Sequence, residues 1–329
     1  MSRHSGWVVR RAEHGASCTL EDFDDDFLDE FDVAVDVSHS AINYKDALAL
    51  HARPGVVRRF PLVAGIDMVG QVAASEHSRW KPGDRVGLFG GGLGEELHGG
   101  LATRAHLSGD SLVPIHDRFT TSQAAAVGTA GLTAALSVVA LEAHGLDISG
   151  GPVLVTGASG GVGSMAIHLL SRRGYHVVAA TGRPEEQEGA LRAAGASEII
   201  HRDEVVSERP LASQRWAGVV DCVGGPILAG ALAAVKEGGA VAASGLAASP
   251  ELPTTVLPFI LRGVQLLGIN SVQIRPELRE TVSDLIVQDT DPDYLDSITR
   301  TVGLTEAQDA ARQLLDGRGT GRTVVDVRA

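Results

Sequence analysis

Short apolar runs separated by turn signals fill the chain up to residue 125. Val33-Ala34-Val35-Asp36-Val37 and Leu62-Val63-Ala64-Gly65 have the length and composition of strands. Lys81-Pro82-Gly83-Asp84 places proline second and glycine third, the pattern of a tight turn, and leads into Arg85-Val86-Gly87-Leu88. This part of the chain is predicted to be irregular all-β structure.

The pattern changes near residue 120. Thr121-Ser122 suits the cap of a helix through Ala124-Ala125-Ala126, and a longer apolar helix follows from Leu132 to His144. Val153-Leu154-Val155-Thr156 is wholly apolar up to its last residue, as a parallel strand buried on both faces requires. Val162–Arg173 reads as a helix closed by Gly174, His176–Ala180 as the next strand, and Glu185–Ala194 as the next helix. Ser197–Ile200, Gly218–Val223, Ala240–Ser244 and Val264–Ile269 complete six strands. Strands alternating with helices imply an α/β fold with a doubly wound parallel sheet. Beyond residue 272 helical segments at 276–288 and 305–315 precede a last strand, Arg322-Thr323-Val324-Val325-Asp326-Val327, read as returning to the first domain.

The 329 residues are enough for two domains at about 150 residues each. With 44% hydrophobic and 21% charged residues, wholesale disorder is excluded. The two cysteines, Cys18 and Cys222, exclude a disulfide scaffold and a four-cysteine zinc site, and they fit a reducing compartment. A net charge of −13 argues against nucleic acid as a partner. No apolar run approaches the ~20 residues of a membrane span, and the polar start Met1-Ser2-Arg3-His4-Ser5 leads into no signal peptide, so the expectation is a cytoplasmic protein without a membrane partner. Eight acidic residues between Glu21 and Asp32 read as a solvated loop between two early strands.

The sharpest motif is Gly157-Ala158-Ser159-Gly160-Gly161-Val162-Gly163, set between a buried strand and a helix. Gly157 permits a tight turn, Gly160 and Gly161 let backbone approach a pyrophosphate, and Gly163 lets helix pack close to strand. The helix N-terminus offers free N–H groups and partial positive charge to the diphosphate. The spacing is G-x-x-G-x-x-G, so the strand and helix around it carry the dinucleotide reading. At the end of the second strand an NAD site places a carboxylate for the ribose 2′-hydroxyl. Here the chain reads Thr181-Gly182-Arg183, which suits a 2′-phosphate instead. Glu185 and Glu186 follow Pro184 and belong to the first turn of a helix. The cofactor expected is NADP(H), with Arg202 either stacking on adenine or adding a second charge, or else a solvated loop arginine.

Several segments together resemble the zinc-free medium-chain dehydrogenase/reductase superfamily, in its acrylyl-CoA reductase or quinone oxidoreductase branch. They are Asn43-Tyr44-Lys45-Asp46-Ala47-Leu48-Ala49, Phe60-Pro61-Leu62-Val63-Ala64-Gly65-Ile66-Asp67, the glycine loop, Thr181-Gly182-Arg183-Pro184, Trp216-Ala217-Gly218, and the block Leu252–Gly263. The resemblance covers essentially the whole chain. It implies a GroES-like, mostly β catalytic domain from residues 1–125 and 273–329, and a Rossmann NADP-binding domain from 126–272. It also implies a homodimer formed through the last Rossmann strand, Val264–Ile269. Zinc relatives carry Gly-His-Glu where this chain reads Gly65-Ile66-Asp67, so no metal site is expected. Carried over by position, Tyr44 looks like the residue that reaches the nicotinamide. Ser159, Gly160, Gly161 and Val162 look like the diphosphate contacts, and Thr181, Gly182, Arg183 and Arg202 the adenosine-phosphate contacts. Leu246, Ile260 and Ser271 resemble contacts around the nicotinamide ribose and ring.

The loop Gly90–Gly100 departs from the branch, with Gly91, Leu97 and His98 where the branch carries tryptophans and a histidine. Gly317 replaces an asparagine, and Asn270 stands where the branch often has aspartate. The reaction implied is NADPH-dependent reduction of the carbon–carbon double bond of an α,β-unsaturated acyl thioester, acrylyl-CoA to propionyl-CoA. Quinone or enone reduction, or NADPH binding without catalysis, are the alternatives. Asn43 and Tyr44 are the candidates to stabilise the developing enolate, and Tyr44 to deliver the α-proton. Lys45 and Asp46 read as a helix-start pair. Arg53, Arg58 and Arg59 read as an exposed loop, with CoA phosphates as a second reading.

Overall fold

The computed structural model describes residues 3–13 and 15–329. The chain forms two compact units, one from residues 1–129 and 295–329, the other from 130–294. The sequence places the return to the first domain at 273; by packing, it comes at Leu295.

In the first unit the strands are β1 (His4–Ala12), β2 (Gly15–Phe23) and β3 (Val33–Ile42), followed by helix α1 (Tyr44–Leu50) and strands β4 (Leu62–Val63), β5 (Asp67–Ser75), β6 (Arg85–Phe89), β7 (Arg104–Leu107) and β8 (Val113–Pro114). Helix α2 (Thr121–Ala143) leads out of it. In the second unit come β9 (Val153–Thr156), α3 (Gly161–Arg172), β10 (Val177–Thr181), α4 (Pro184–Ala194), β11 (Glu198–His201), β12 (Trp216–Asp221), α5 (Gly225–Ala234), β13 (Val235–Ala243), α6 (Leu257–Arg262), β14 (Gln265–Gly268) and α7 (Pro276–Asp289). The chain then runs through α8 (Pro292–Ile298), β15 (Thr299–Gly303), α9 (Ala307–Leu315) and β16 (Arg322–Asp326).

The first unit carries a sheet in the order β15-β16-β3-β5-β6-β8, with β7 also on β3, and a smaller sheet β2-β1-β4. Alternation in β3 explains its place: Val33, Val35 and Val37 are fully buried while Asp36 faces out. The last strand, β16, pairs antiparallel with β3, Val324 opposite Ala41 and Asp326 opposite His39, so the chain end closes onto the first unit. The acid-rich stretch ends β2 and forms the loop to β3, as expected, with Asp22, Asp24, Asp26 and Glu30 exposed. Glu21 lies in β2 and binds Arg10 at 2.8–3.1 Å, Asp29 holds Arg59 by two bonds of 2.8 and 2.6 Å, and Asp32 accepts the Gly109 N–H at 2.8 Å. Solvation of the exposed acids and these separate pairings of the others let like charges tolerate each other there.

The second unit is a six-stranded parallel sheet in the order β11-β10-β9-β12-β13-β14. Its strand order reverses between β9 and β12. A doubly wound sheet opens a ligand crevice there, beyond the carboxyl ends of the strands. Val153, Leu154 and Val155 are fully buried, as the apolar run demands. Helix α2 corrects one expectation. It is 23 residues long and apolar enough, by length and composition, to cross a membrane. It is mostly buried within the protein and broken at Gly128, whose φ of 46° and ψ of −159° leave the helical region. The break explains why the sequence reads as two helices.

Candidate functional site

The glycine turn is built as its residue types require. Gly157 takes φ +61°, a left-handed value that other residues avoid. A Cβ on Gly163 would lie 2.3 Å from the Gly157 carbonyl oxygen, so only glycine lets α3 pack this close to the turn. Gly160 is the N-cap of α3, in extended conformation, with Ser159 and Val162 beside it, all half-buried. The N–H groups of the first turn of α3 are therefore directed at the tip of β9, where an anion is favoured.

Beneath the turn lies a brace that sequence reading missed. Thr156, at the end of β9, donates its hydroxyl to Asp221 Oδ1 at 2.6 Å, at the end of β12. Asp221 Oδ2 accepts the Val223 and Gly224 N–H groups at 3.3 and 2.8 Å, and Thr156 Oγ1 accepts the Cys222 N–H at 3.2 Å. Burial pushes the Asp221 carboxyl up, against its hydrogen bonds. The brace spans the point where the strand order reverses. The signal was a Thr and an Asp, each closing a buried apolar run.

The adenosine-phosphate candidates converge at the end of β10. Thr181 is buried and accepts the Arg183 N–H at 3.3 Å, which shapes the turn. Arg202 lies over Gly182: a methyl there would meet its Nε at 3.3 Å. Arg183 lies 3.4 Å from Glu186 in the first turn of α4, a weak and partly exposed contact. A hydroxyl and a guanidinium from the turn after β10, with a second guanidinium from the segment after β11, fit a phosphate monoester. Ser271 accepts a hydrogen bond from Thr133 at 2.9 Å, while Leu246 and Ile260 are exposed, at 59% and 68%.

In the first unit Asn43 and Tyr44 open α1. Tyr44 is the first helical residue and is 45% exposed. Asn43 Nδ2 donates to Asp46 Oδ2 at 3.0 Å and to Asp67 Oδ2 at 2.8 Å, and its Oδ1 accepts from Arg322 at 3.1 Å. Both amide hydrogens are thus committed to carboxylates. This revises the expectation for Asn43: no donor is left for a substrate oxygen. Asp67 also accepts the Thr129 N–H at 2.9 Å and its hydroxyl at 2.6 Å, and Arg322 Nη2 lies 3.7 Å from its Oδ2. Asp46 accepts the N–H groups of Asn43 and Ile66 at 2.8 and 2.7 Å. Burial, then the neighbouring Asp67, push Asp46 up to about 7. Burial also raises Asp67, opposed chiefly by Arg322. Asp67 and Arg322 come from positions far apart in sequence, and no local pattern joins them.

Other residues take structural parts. His98 is buried and accepts the Val63 N–H on Nδ1 at 3.1 Å, beside Phe27. Glu95 is buried and pairs with Lys45 at 2.6 Å. Arg58 pairs with Glu96 at 2.8 Å and Arg59 with Asp29, so these two arginines are occupied by protein carboxylates. Among the described residues no group of three or more His, Cys, Asp or Glu is arranged to hold a metal ion.

Comparison with known proteins agrees with this fold. Residues 29–117 match the alcohol dehydrogenase GroES-like domain and residues 161–288 the domain described as zinc-binding dehydrogenase. The chain is 47% identical over 300 residues, 91% of each chain, to the acrylyl-CoA reductase AcuI of Ruegeria pomeroyi. The crystal structure of Escherichia coli K-12 YhdH with bound NADPH superposes with a TM-score of 0.95 at 42% identity, covering 98% of this chain and 99% of that one. Bacillus subtilis YhfP with NAD bound gives 0.94 at 41% identity, covering 99% and 100%. With identity this high across nearly the full length of both sequences, the protein belongs to the medium-chain dehydrogenase/reductase superfamily, in its acrylyl-CoA reductase branch.

Proposed function

We propose that the protein is an NADPH-dependent reductase of the carbon–carbon double bond in α,β-unsaturated acyl thioesters, converting acrylyl-CoA to propionyl-CoA. The observation that carries this reading is the glycine cradle over the Thr156–Asp221 brace, in a chain so similar to a named acrylyl-CoA reductase. Ser159, Gly160, Gly161 and Val162 hold the diphosphate. Thr181, Gly182, Arg183 and Arg202 hold the 2′-phosphate and adenosine, and Leu246, Ile260 and Ser271 the nicotinamide end. Bound NADPH supplies the hydride for the β-carbon. Tyr44 is assigned to the thioester oxygen, where its hydroxyl would stabilise enolate charge, and to the α-proton. No metal is assigned.

The chain is read as a cytoplasmic homodimer with no nucleic-acid or membrane partner. Support for the dimer is β14, an edge strand that among the described residues pairs with β13 alone, with Leu266 exposed on it and Ile260 and Leu261 exposed on the preceding α6. An unpaired apolar edge is a site for strand pairing. Sedimentation of the purified protein at the mass of one chain would remove this part of the reading.

The enzymatic test follows NADPH absorbance with acrylyl-CoA, crotonyl-CoA, a quinone and a small enone. Preference for acrylyl-CoA supports the proposal. Preference for the quinone or enone assigns a different acceptor, and NADPH binding without turnover of any acceptor leaves a binding protein.

A further inference from the structure

The polar cluster under α1 is costly. Asp46, Asp67 and Arg322 are almost wholly excluded from solvent, and burying charge costs several kcal/mol per ion even when paired. Apolar residues of the same volume would serve stability at least as well. A geometrical task accounts better for the arrangement, and the bonds show which one. Asp67 receives Asn43 Nδ2 on Oδ2 and both Thr129 donors on Oδ1, so each oxygen is aimed. Arg322 donates to Asn43 Oδ1 and, through Nε, to the Ala126 carbonyl at 2.6 Å. That carbonyl belongs to the end of the first half of α2, whose intrahelical partner is removed by the break at Gly128. Gly128 is forced: a Cβ there would lie 2.5 Å from Asp67 Oδ2. The cluster converges on Asn43, and the next residue is Tyr44.

The geometry points to Asp67 as a positioning residue for the proposed reduction: acting through the Asn43 side chain, it fixes the first turn of α1 and hence the direction of Tyr44, with Arg322 as its counter-ion. This rests on the functional reading above for the reaction, but not for the placement of Tyr44. Asp67 touches no substrate in this scheme. The charged groups that face it are Asp46 from α1 and Arg322 from β16. Loss of its charge would free the Asn43 amide and let the start of α1 shift, and misplacing a reacting group by about 1 Å costs on the order of 100-fold in rate.

The test uses the full chain with ring-labelled tyrosine. Only three tyrosines are present, Tyr44, Tyr175 and Tyr294, so each gives an assignable NMR signal. Asp67→Asn is expected to move the Tyr44 signal alone and to lower kcat about 100-fold, with NADPH affinity held within about twofold. Arg322→Gln removes the counter-charge, so the acid limb of the kcat profile is expected to move up by about one pH unit. Thr129→Val keeps every charge and guards against failure of the other variants to fold; it is expected to move the Tyr44 signal and lower kcat about tenfold. An unmoved Tyr44 signal in a folded variant, or all three signals moving together, overturns the inference. So does an unshifted acid limb in folded Arg322→Gln. A wild-type protein inactive on acrylyl-CoA overturns the functional reading instead, and the tyrosine signals still decide the role of Asp67.

Discussion

Thr156 and Asp221 close two strands that are adjacent in the sheet and 65 positions apart in sequence, and they meet at 2.6 Å. Their bond ties the tips of β9 and β12 beneath the phosphate turn. Thr156→Val keeps the shape and strands a buried carboxylate oxygen, so it is expected to cost about 2 kcal/mol of stability. NADPH binding should weaken with it, because the turn rests on the brace. Urea unfolding and a cofactor titration check both, and unchanged values in both would show that the turn stands without it.

In the proposed site, cofactor choice is local to the end of β10. Arg183→Asp replaces the charge proposed to bind the 2′-phosphate by one that repels it and offers a carboxylate to a ribose hydroxyl. NADPH affinity is expected to fall by about 2 kcal/mol, roughly 30-fold, relative to NADH. YhfP carries NAD on the same fold, so the backbone itself does not decide the matter. Fluorescence titration with both coenzymes checks it; an unaltered ratio would remove Arg183 from the phosphate site.

Asp46 makes stability depend on pH in a stated direction. Its carboxyl titrates near 3.8 when solvated and is pushed up to about 7 by burial and by Asp67. The folded state therefore holds a proton that the unfolded chain releases. The stability tied to that proton is full below pH 3.8 and is lost as pH rises toward 7. Asp46→Asn removes this dependence while losing some accepted bonds. Its cost relative to wild type should be larger at about pH 5 than at about pH 8. Equal costs at the two values would refute the assignment.

His98 acts in the opposite direction. Burial lowers it from 6.5 to about 4, and the Val63 N–H it accepts requires a neutral Nδ1. Stability tied to it is present above pH 6.5 and lost as pH falls toward 4, because the unfolded chain takes the proton first. His98→Asn retains an acceptor for Val63 and should flatten acid unfolding over that interval. An acid-unfolding midpoint that does not move would show that other groups govern it.

What sequence alone determined was whatever local physics dictates. A buried parallel strand must be apolar along its length, so Val153–Thr156 and its partners were readable. A phosphate turn needs glycine where φ is positive or a Cβ cannot fit, so Gly157 and Gly163 were readable too. The arginines proposed for the cofactor, Arg183 and Arg202, stand within two residues of strand ends, again a local rule. Tertiary structure decided the rest, because it depends on contacts between distant positions. The acidic run at 21–32 is the solvated connection the sequence suggests, but its pairings with Arg10, Arg59 and the Gly109 amide come from the fold. Asn43 looked like a free donor until Asp46 and Asp67 took both of its amide hydrogens. The charges of Asp67 and Arg322 are 255 positions apart, and only β16 pairing onto β3 brings them to one place. A polar residue's role is set by its partners, and partners supplied by the fold leave no periodicity in the chain.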